Sequence, residues 1–116
     1  MKAESKIQQQ IVMWYRNTYC TIKNNPRHLI FSVPNEGKDI KEQLAKRATG
    51  MLSGVSDLIV VRPDEVLFIE CKDAKGKQRE QQKNFQNTVD ALGFEYHVVR
   101  SLEEFKKIIH AKEKEG

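Results

Sequence analysis

The apolar positions of this chain follow two periods, and their order lays out a fold. Over residues 3–18, Ile7, Ile11, Trp14 and Thr18 recur at helical spacing and form one stripe. Residues 28–33, His-Leu-Ile-Phe-Ser-Val, read as a strand stopped by Pro34, with Asn35, Glu36 and Gly37 as the loop that follows. Residues 39–49 are polar and read as a helix or a mobile loop whose inward positions are Ile40, Leu44 and Ala48, stopped by Gly50. Two apolar runs, 58–61 and 66–69, flank Pro63 and Asp64 and predict a β-hairpin. Beyond it, Gln78, Gln82, Phe85, Val89 and Leu92 make a helical stripe over residues 78–92, closed by Gly93. Residues 94–99 form a further strand, and Ser101 with Glu104 is a capping box for a last helix with Leu102, Phe105 and Ile109 inward.

The hairpin decides the fold class. Leu58, Val60, Leu67 and Ile69 line one face, and Ile59, Val61, Val66 and Phe68 line the other. Both faces are apolar, so helices must cover both, which means an α/β layered fold, with the four strands as a central sheet flanked by helices. No repeat or low-complexity linker interrupts the 116 residues, so residues 1–116 are expected to form a single domain.

The same hairpin carries the chemistry. With Pro63 and Asp64 at its turn, Asp57 lies opposite Glu70, with Cβ atoms about 4.5–5.5 Å apart. Lys72, two residues on, shares the face of Glu70. Two carboxylates that close stay ionised only if a cation sits between them or one takes up a proton. Mg²⁺ suits the first case, being held by one or two carboxylates plus waters and phosphate oxygens. Lys72 would then orient or deprotonate the attacking water, or neutralise charge on the phosphate. The alternative is a structural ion pair at a strand end. Glu-x-Lys occurs four times, at Glu4, Glu36, Glu70 and Glu104, but only the copy at Glu70 closes an apolar strand with an Asp opposite.

Asp57, Glu70 and Lys72 in this setting resemble the PD-(D/E)XK nuclease signature. Pro34-Asn35, Gly54-Val55-Ser56-Asp57, Ile69-Glu70-Cys71-Lys72, Gly76 with Gln82, Leu92-Gly93 and Ser101-Leu102-Glu103-Glu104, in this order and spacing, resemble the VRR-NUC family of that superfamily. Ser56 stands where the family usually has Pro; Ser is also a turn former. The resemblance implies a restriction-endonuclease-like core similar to Holliday-junction resolvases. It implies Mg²⁺ or Mn²⁺ held by Asp57, Glu70, the backbone carbonyl of Cys71 and Glu4. Glu4 falls on the first-helix stripe one turn before Ile7; its alternative role is a first-turn acid at the positive end of the helix dipole. Gln82 is implied as a catalytic or phosphate-side residue, the alternative being a surface amide at a helix end.

Charge adds a partner to this picture. The net charge of +4 permits a polyanionic ligand. Lys75, Lys77, Arg79 and Lys83 follow Lys72 directly and are candidate phosphate contacts, and Asn35 and Lys38 are further candidates for contact with DNA. The start turns polar at once, with no apolar signal region, and no run approaches the length of a membrane span. An intracellular protein is expected, including the case of a phage protein acting in a bacterial host cell. Cys20 and Cys71 are too few for a disulfide framework and lack metal-ligand spacing with the three His. Alternation puts Cys71 on the face opposite Glu70, and His97 reads as a packed or edge histidine.

No Gly-x-Gly-x-x-Gly, P-loop or Gly-x-Ser-x-Gly pattern is present, so neither a nucleotide cofactor nor acyl transfer is supported. The favoured reading is a divalent-metal-dependent DNA endonuclease, and the resemblance adds branched DNA such as four-way junctions. The alternatives are a flap- or end-directed nuclease and a non-catalytic DNA-binding module of the same fold. The complete Asp57, Glu70, Lys72 set speaks against the last. Paired nicks in a junction call for a homodimer, for which Met13, Tyr15, Tyr19 and Met51, off the core stripes, are the candidate contact surface.

Overall fold

Pro63 and Asp64 reverse the chain where the hydrophobic pattern places the turn. Asp64 takes a φ of 60°, so Pro followed by a left-handed residue gives the combination used by type II turns. In the computed structural model, which describes residues 2–34 and 39–115, the order is α1 (Ala3–Tyr19), β1 (Leu29–Ser32), α2 (Ile40–Ala48), β2 (Leu58–Arg62), β3 (Glu65–Cys71), α3 (Glu80–Ala91), β4 (Glu95–Val99) and α4 (Leu102–Glu115). The hairpin register runs from Leu58 opposite Ile69 to Arg62 opposite Glu65. β1 joins β2 antiparallel, and β4 joins β3 parallel because α3 carries the chain back to the same end of the sheet. The result is the mixed four-stranded sheet in the order β1-β2-β3-β4.

One face of the sheet is closed. Ile30, Leu58, Val60, Leu67, Ile69, Cys71 and Val99 meet Ile11 and Tyr15 of α1 and Phe105 and Ile109 of α4 in a continuous core. Burial of each large aliphatic side chain there contributes about 1.5–3 kcal/mol. The other face is covered only in part. α3 lies over β3 and β4, with the Phe85 ring 5.6 Å from Phe68 and 6.0 Å from Tyr96. It does not reach β1, where Leu29 and Phe31 remain 55% and 42% exposed. Helices therefore do not cover both faces throughout.

Several stripes shift from the sequence reading. α1 buries Ile11 and Tyr15, not Thr18, which is exposed and turns its hydroxyl back to the Trp14 carbonyl at 2.6 Å. Tyr15 is a core residue, Tyr19 packs against the core and Met51 is half-buried, so of the four proposed contact residues only Met13 stays exposed. Residues 40–48 are helical, capped by Asp39 accepting from the Glu42 amide at 2.8 Å. Yet Ile40, Leu44 and Ala48 are exposed, because α2 stands outside the sheet layers and is held by local bonds such as Glu42–Lys46 at 3.0 Å. Leu92 lies past the end of α3 as its C-cap and is also exposed.

Tyr15 joins the core without stranding its hydroxyl. Arg62 donates to it at 2.8 Å, and it lies 2.8 Å from His28 Nδ1. Tyr19 stacks on the His28 ring with 6° between the planes. Burial, and after it the Arg62 guanidinium, hold the His28 imidazole below its ordinary range. On acidification the unfolded chain therefore takes the proton first, so His28 favours the fold above about pH 6.5 and loses that contribution as pH falls below it. Thermal melts between pH 7.5 and 5 should show a falling midpoint whose slope is reduced in His28→Leu. An equal slope in the variant would remove His28 as the cause.

Candidate active site

Three elements meet at the carboxyl end of β3, next to the carboxyl end of the parallel strand β4, where open α/β sheets bind ligands. Glu70 is the penultimate residue of β3, Asp57 immediately precedes β2, and Lys72 follows β3, its amide bonded to the Val99 carbonyl at 3.0 Å. The hairpin register that pairs Leu58 with Ile69 sets Asp57 beside Glu70. Ser56, at the position the family usually gives to Pro, is fully buried and donates to the Leu58 carbonyl at 3.2 Å, which steadies the approach to Asp57.

Each charged group has defined neighbours. The Asp57 carboxylate accepts from the Cys71 amide at 2.7 Å, tying β2 to β3 across the mouth of the site. Burial pushes the Asp57 carboxyl above the ordinary carboxylate range, the Cys71 amide counters it, and Glu70 and Glu4 add to the rise. Glu70 is fully buried. Its Oε1 accepts from the Tyr96 hydroxyl and from Gln78 Nε2 at 3.4 Å. Its Oε2 is buried with no hydrogen-bond partner, the lone such side-chain atom among the described residues. The Lys72 ammonium lies 3.9 Å from that oxygen and 3.8 Å from Glu4 Oε1.

Glu4 thus arrives at the site from the first turn of α1, half-exposed. Cys71 sends its side chain into the core, where burial pushes its thiol up to about 12, leaving its backbone at the site. As the side chains stand, no three His, Cys, Asp or Glu groups among the described residues converge into a ready metal cluster. Glu4 and Glu70 are both engaged by the Lys72 ammonium. The donor set nonetheless fits a hard divalent cation, since all its ligands would be oxygens and one of them, Glu70 Oε2, is buried without a donor.

Gln82 is buried at the start of α3, where its Oε1 accepts from the Arg79 amide at 2.8 Å. A cleft of about 460 Å³ opens beside it, lined by Asp57, Gly54, Pro34, Arg79, Gln81 and Gln82. Lys75, Lys77, Arg79 and Lys83 are exposed around this end of the molecule, and Asn35 and Lys38 lie outside the described residues. Asp73 Oδ1 accepts from the amides of Lys75 and Gly76 at 3.0 and 2.6 Å. Arg100, just past β4, donates to the carbonyls of Asp73 and Gly76 at 2.6 and 2.8 Å. A Cβ on Gly76 would come within 3.3 Å of the Lys72 side chain, so this glycine leaves the lysine its room.

Tyr96, Gln78 and Arg100 were not picked out as site residues by sequence reasoning. Alternation along β4 does place Tyr96 on a single face, but which strand β4 joins, and in which direction, leaves no local mark in the sequence. Gln78 stood out as an amide on an apolar stripe, whereas Arg100 carried no signal.

The model of the VRR-NUC domain matches residues 2–103 of this chain. A solved structure described as a VRR-NUC domain protein superposes with a TM-score of 0.73 at 21% identity, covering 96% of this chain and 88% of its own. A second, described as a VRR-NUC domain, superposes with a TM-score of 0.65 at 20% identity, covering 95% and 97%. No curated protein matches the chain. These likenesses bear out the fold expected from the sequence, a PD-(D/E)XK-type mixed sheet flanked by helices.

Proposed function

Since the chain belongs to the VRR-NUC family, a nuclease-type family, we propose that it is a divalent-metal-dependent phosphodiesterase acting on DNA, with its centre at Asp57, Glu70 and Lys72. The observation that carries this reading is the buried Glu70 carboxylate, one oxygen held by donors and the other bare, beside Asp57 and an ammonium at the carboxyl end of β3. Asp57, Glu70 Oε2, the Cys71 carbonyl and Glu4 would hold Mg²⁺ or Mn²⁺. The bound ion would polarise the phosphate and lower the pKa of a water.

The chain's own groups supply the rest. The water gives up a proton to solvent as its oxygen attacks phosphorus, the bond to the leaving sugar oxygen breaks and that oxygen takes up a proton from solvent, and charge grows on the phosphate oxygens in between. Lys72, held near the centre by its two carboxylate partners, offers its positive charge to those oxygens. Arg79 and Gln82 line the cleft that reaches Asp57 and can fix the strand beside the broken bond, while Lys75, Lys77 and Lys83 contact flanking phosphates.

We extend the proposal to branched DNA, with a homodimer supplying two centres for paired nicks. The uncovered apolar face at Leu29 and Phe31 supports a contact surface of that kind. Labelled linear duplex, flap and four-way junction DNA, incubated with Mg²⁺, Mn²⁺ or EDTA, test both layers alongside sedimentation. Metal-dependent cleavage with symmetric junction nicks and twice the chain mass is expected. A monomer that cuts flaps or linear duplex equally well would remove the junction reading. DNA binding without cleavage under any metal would leave a non-catalytic module.

A further inference from the structure

We propose that Tyr96 is a positioning residue that holds Glu70 by one oxygen and so reserves the other for the divalent cation; this rests on the metal-site reading above. The Glu70 carboxylate is wholly enclosed, yet its two oxygens have opposite surroundings. Oε1 takes two donors, the Tyr96 hydroxyl and the Gln78 amide, whereas Oε2 takes none. A buried acceptor without a donor is rare, and here it is the atom that faces Lys72.

Backbone geometry builds this asymmetry. Tyr96 sits on β4 opposite Phe68, one same-face position before Glu70, so its hydroxyl extends along the sheet towards the carboxylate. Its ring is fixed by Phe85 of α3 at 6.0 Å. Gln78 is oriented in turn by donating to Gln86 Oε1 at 2.9 Å. The donors to Oε1 therefore come from β4 and the approach to α3, while the Lys72 ammonium stands at Oε2. Partners that orient a ligating carboxylate commonly change metal affinity 10–100-fold when removed.

The test is calorimetric Mn²⁺ titration of wild type, Tyr96→Phe and Gln78→Leu, with thermal melts of each apo protein. Tyr96→Phe should raise the Mn²⁺ dissociation constant about tenfold or more, and Gln78→Leu should raise it by a smaller factor. A purely structural Tyr96 would lower the melting temperature and leave Mn²⁺ affinity where it was, and that result overturns the proposal. If Tyr96→Phe does not fold, Gln78→Leu decides: weaker binding supports the proposal and unchanged binding overturns it. Wild-type protein that binds no Mn²⁺ would sink the metal reading and this inference together, whereas tight binding in wild type and variants alike sinks the inference alone.

Discussion

Asp57→Asn will lose cleavage and Mn²⁺ binding while the metal-free protein becomes more stable. The Asn carbonyl can still accept from the Cys71 amide, so the link between β2 and β3 survives. What disappears is a carboxylate that burial and the charges of Glu70 and Glu4 already disfavour. Activity should fall on the order of 10³-fold, the scale on which loss of a group that stabilises transition-state charge is felt. Glu70→Ala should also be inactive, but with the opposite effect on stability. It leaves the Tyr96 hydroxyl without its acceptor and Lys72 with Glu4 alone, and breaking a buried pair costs about 3–5 kcal/mol. Paired melts and calorimetry read both outcomes. Unchanged Mn²⁺ affinity in Asp57→Asn would refute its place at the centre.

Gly54→Ala will be the most damaging substitution outside the charged centre. Gly54 has a φ of +82°, where a side chain costs about 1–2 kcal/mol. A Cβ there would also lie 2.2 Å from the Gln81 carbonyl oxygen, 2.4 Å from its carbon and 2.9 Å from the Gln82 nitrogen. Those are backbone atoms of the first turn of α3 and cannot swing aside. The loop that delivers Asp57 and the helix that delivers Gln82 must separate, so stability and cleavage should fall together, with a loss of at least about 3 kcal/mol. Gly50→Ala is the matched control, with a φ of +113° and nothing within 4 Å of the added carbon. Urea unfolding of both separates strain from collision, and equal losses would refute the close approach to α3.

The hairpin was the most legible part of the chain because three local signals agree there. Apolar runs on both sides, Pro63 followed by Asp64, and strand alternation together fix a register that brings Asp57 beside Glu70 without reference to distant residues. Glu4 was legible only in part: its spacing from Ile7 left a first-turn role at the helix end equally open, the family resemblance favoured the site, and the structure sets it 3.8 Å from Lys72. The phase of α1 was less so. Trp14 and Thr18 fit the helical period as well as Tyr15 and Tyr19 do, and Tyr15 is admitted to the core by hydroxyl partners, Arg62 and His28, that are distant in sequence. The Tyr96 contact depends on β4 pairing parallel to β3, a long-range choice that composition does not record. The exposed stripe of α2 shows the reverse problem: the polar segment read as either a helix or a mobile loop, and although it is helical, the spacing of Ile40, Leu44 and Ala48 does not say that another surface waits for it.

Arg100 has a wider reach than its two carbonyl bonds. Its amide is held at 2.6 Å by Glu104, whose own amide is capped by the Ser101 hydroxyl at 3.1 Å. The first turn of α4, the end of β4 and the loop bearing Lys75 and Lys77 are thereby linked as one mechanical unit. If they contact DNA as proposed, the two lysines are presented from a frame ordered beforehand, so less chain entropy is lost on contact. A change confined to the cap of the last helix would therefore be felt as slack at the loop of Lys75 and Lys77, the proposed phosphate contact, which it never touches.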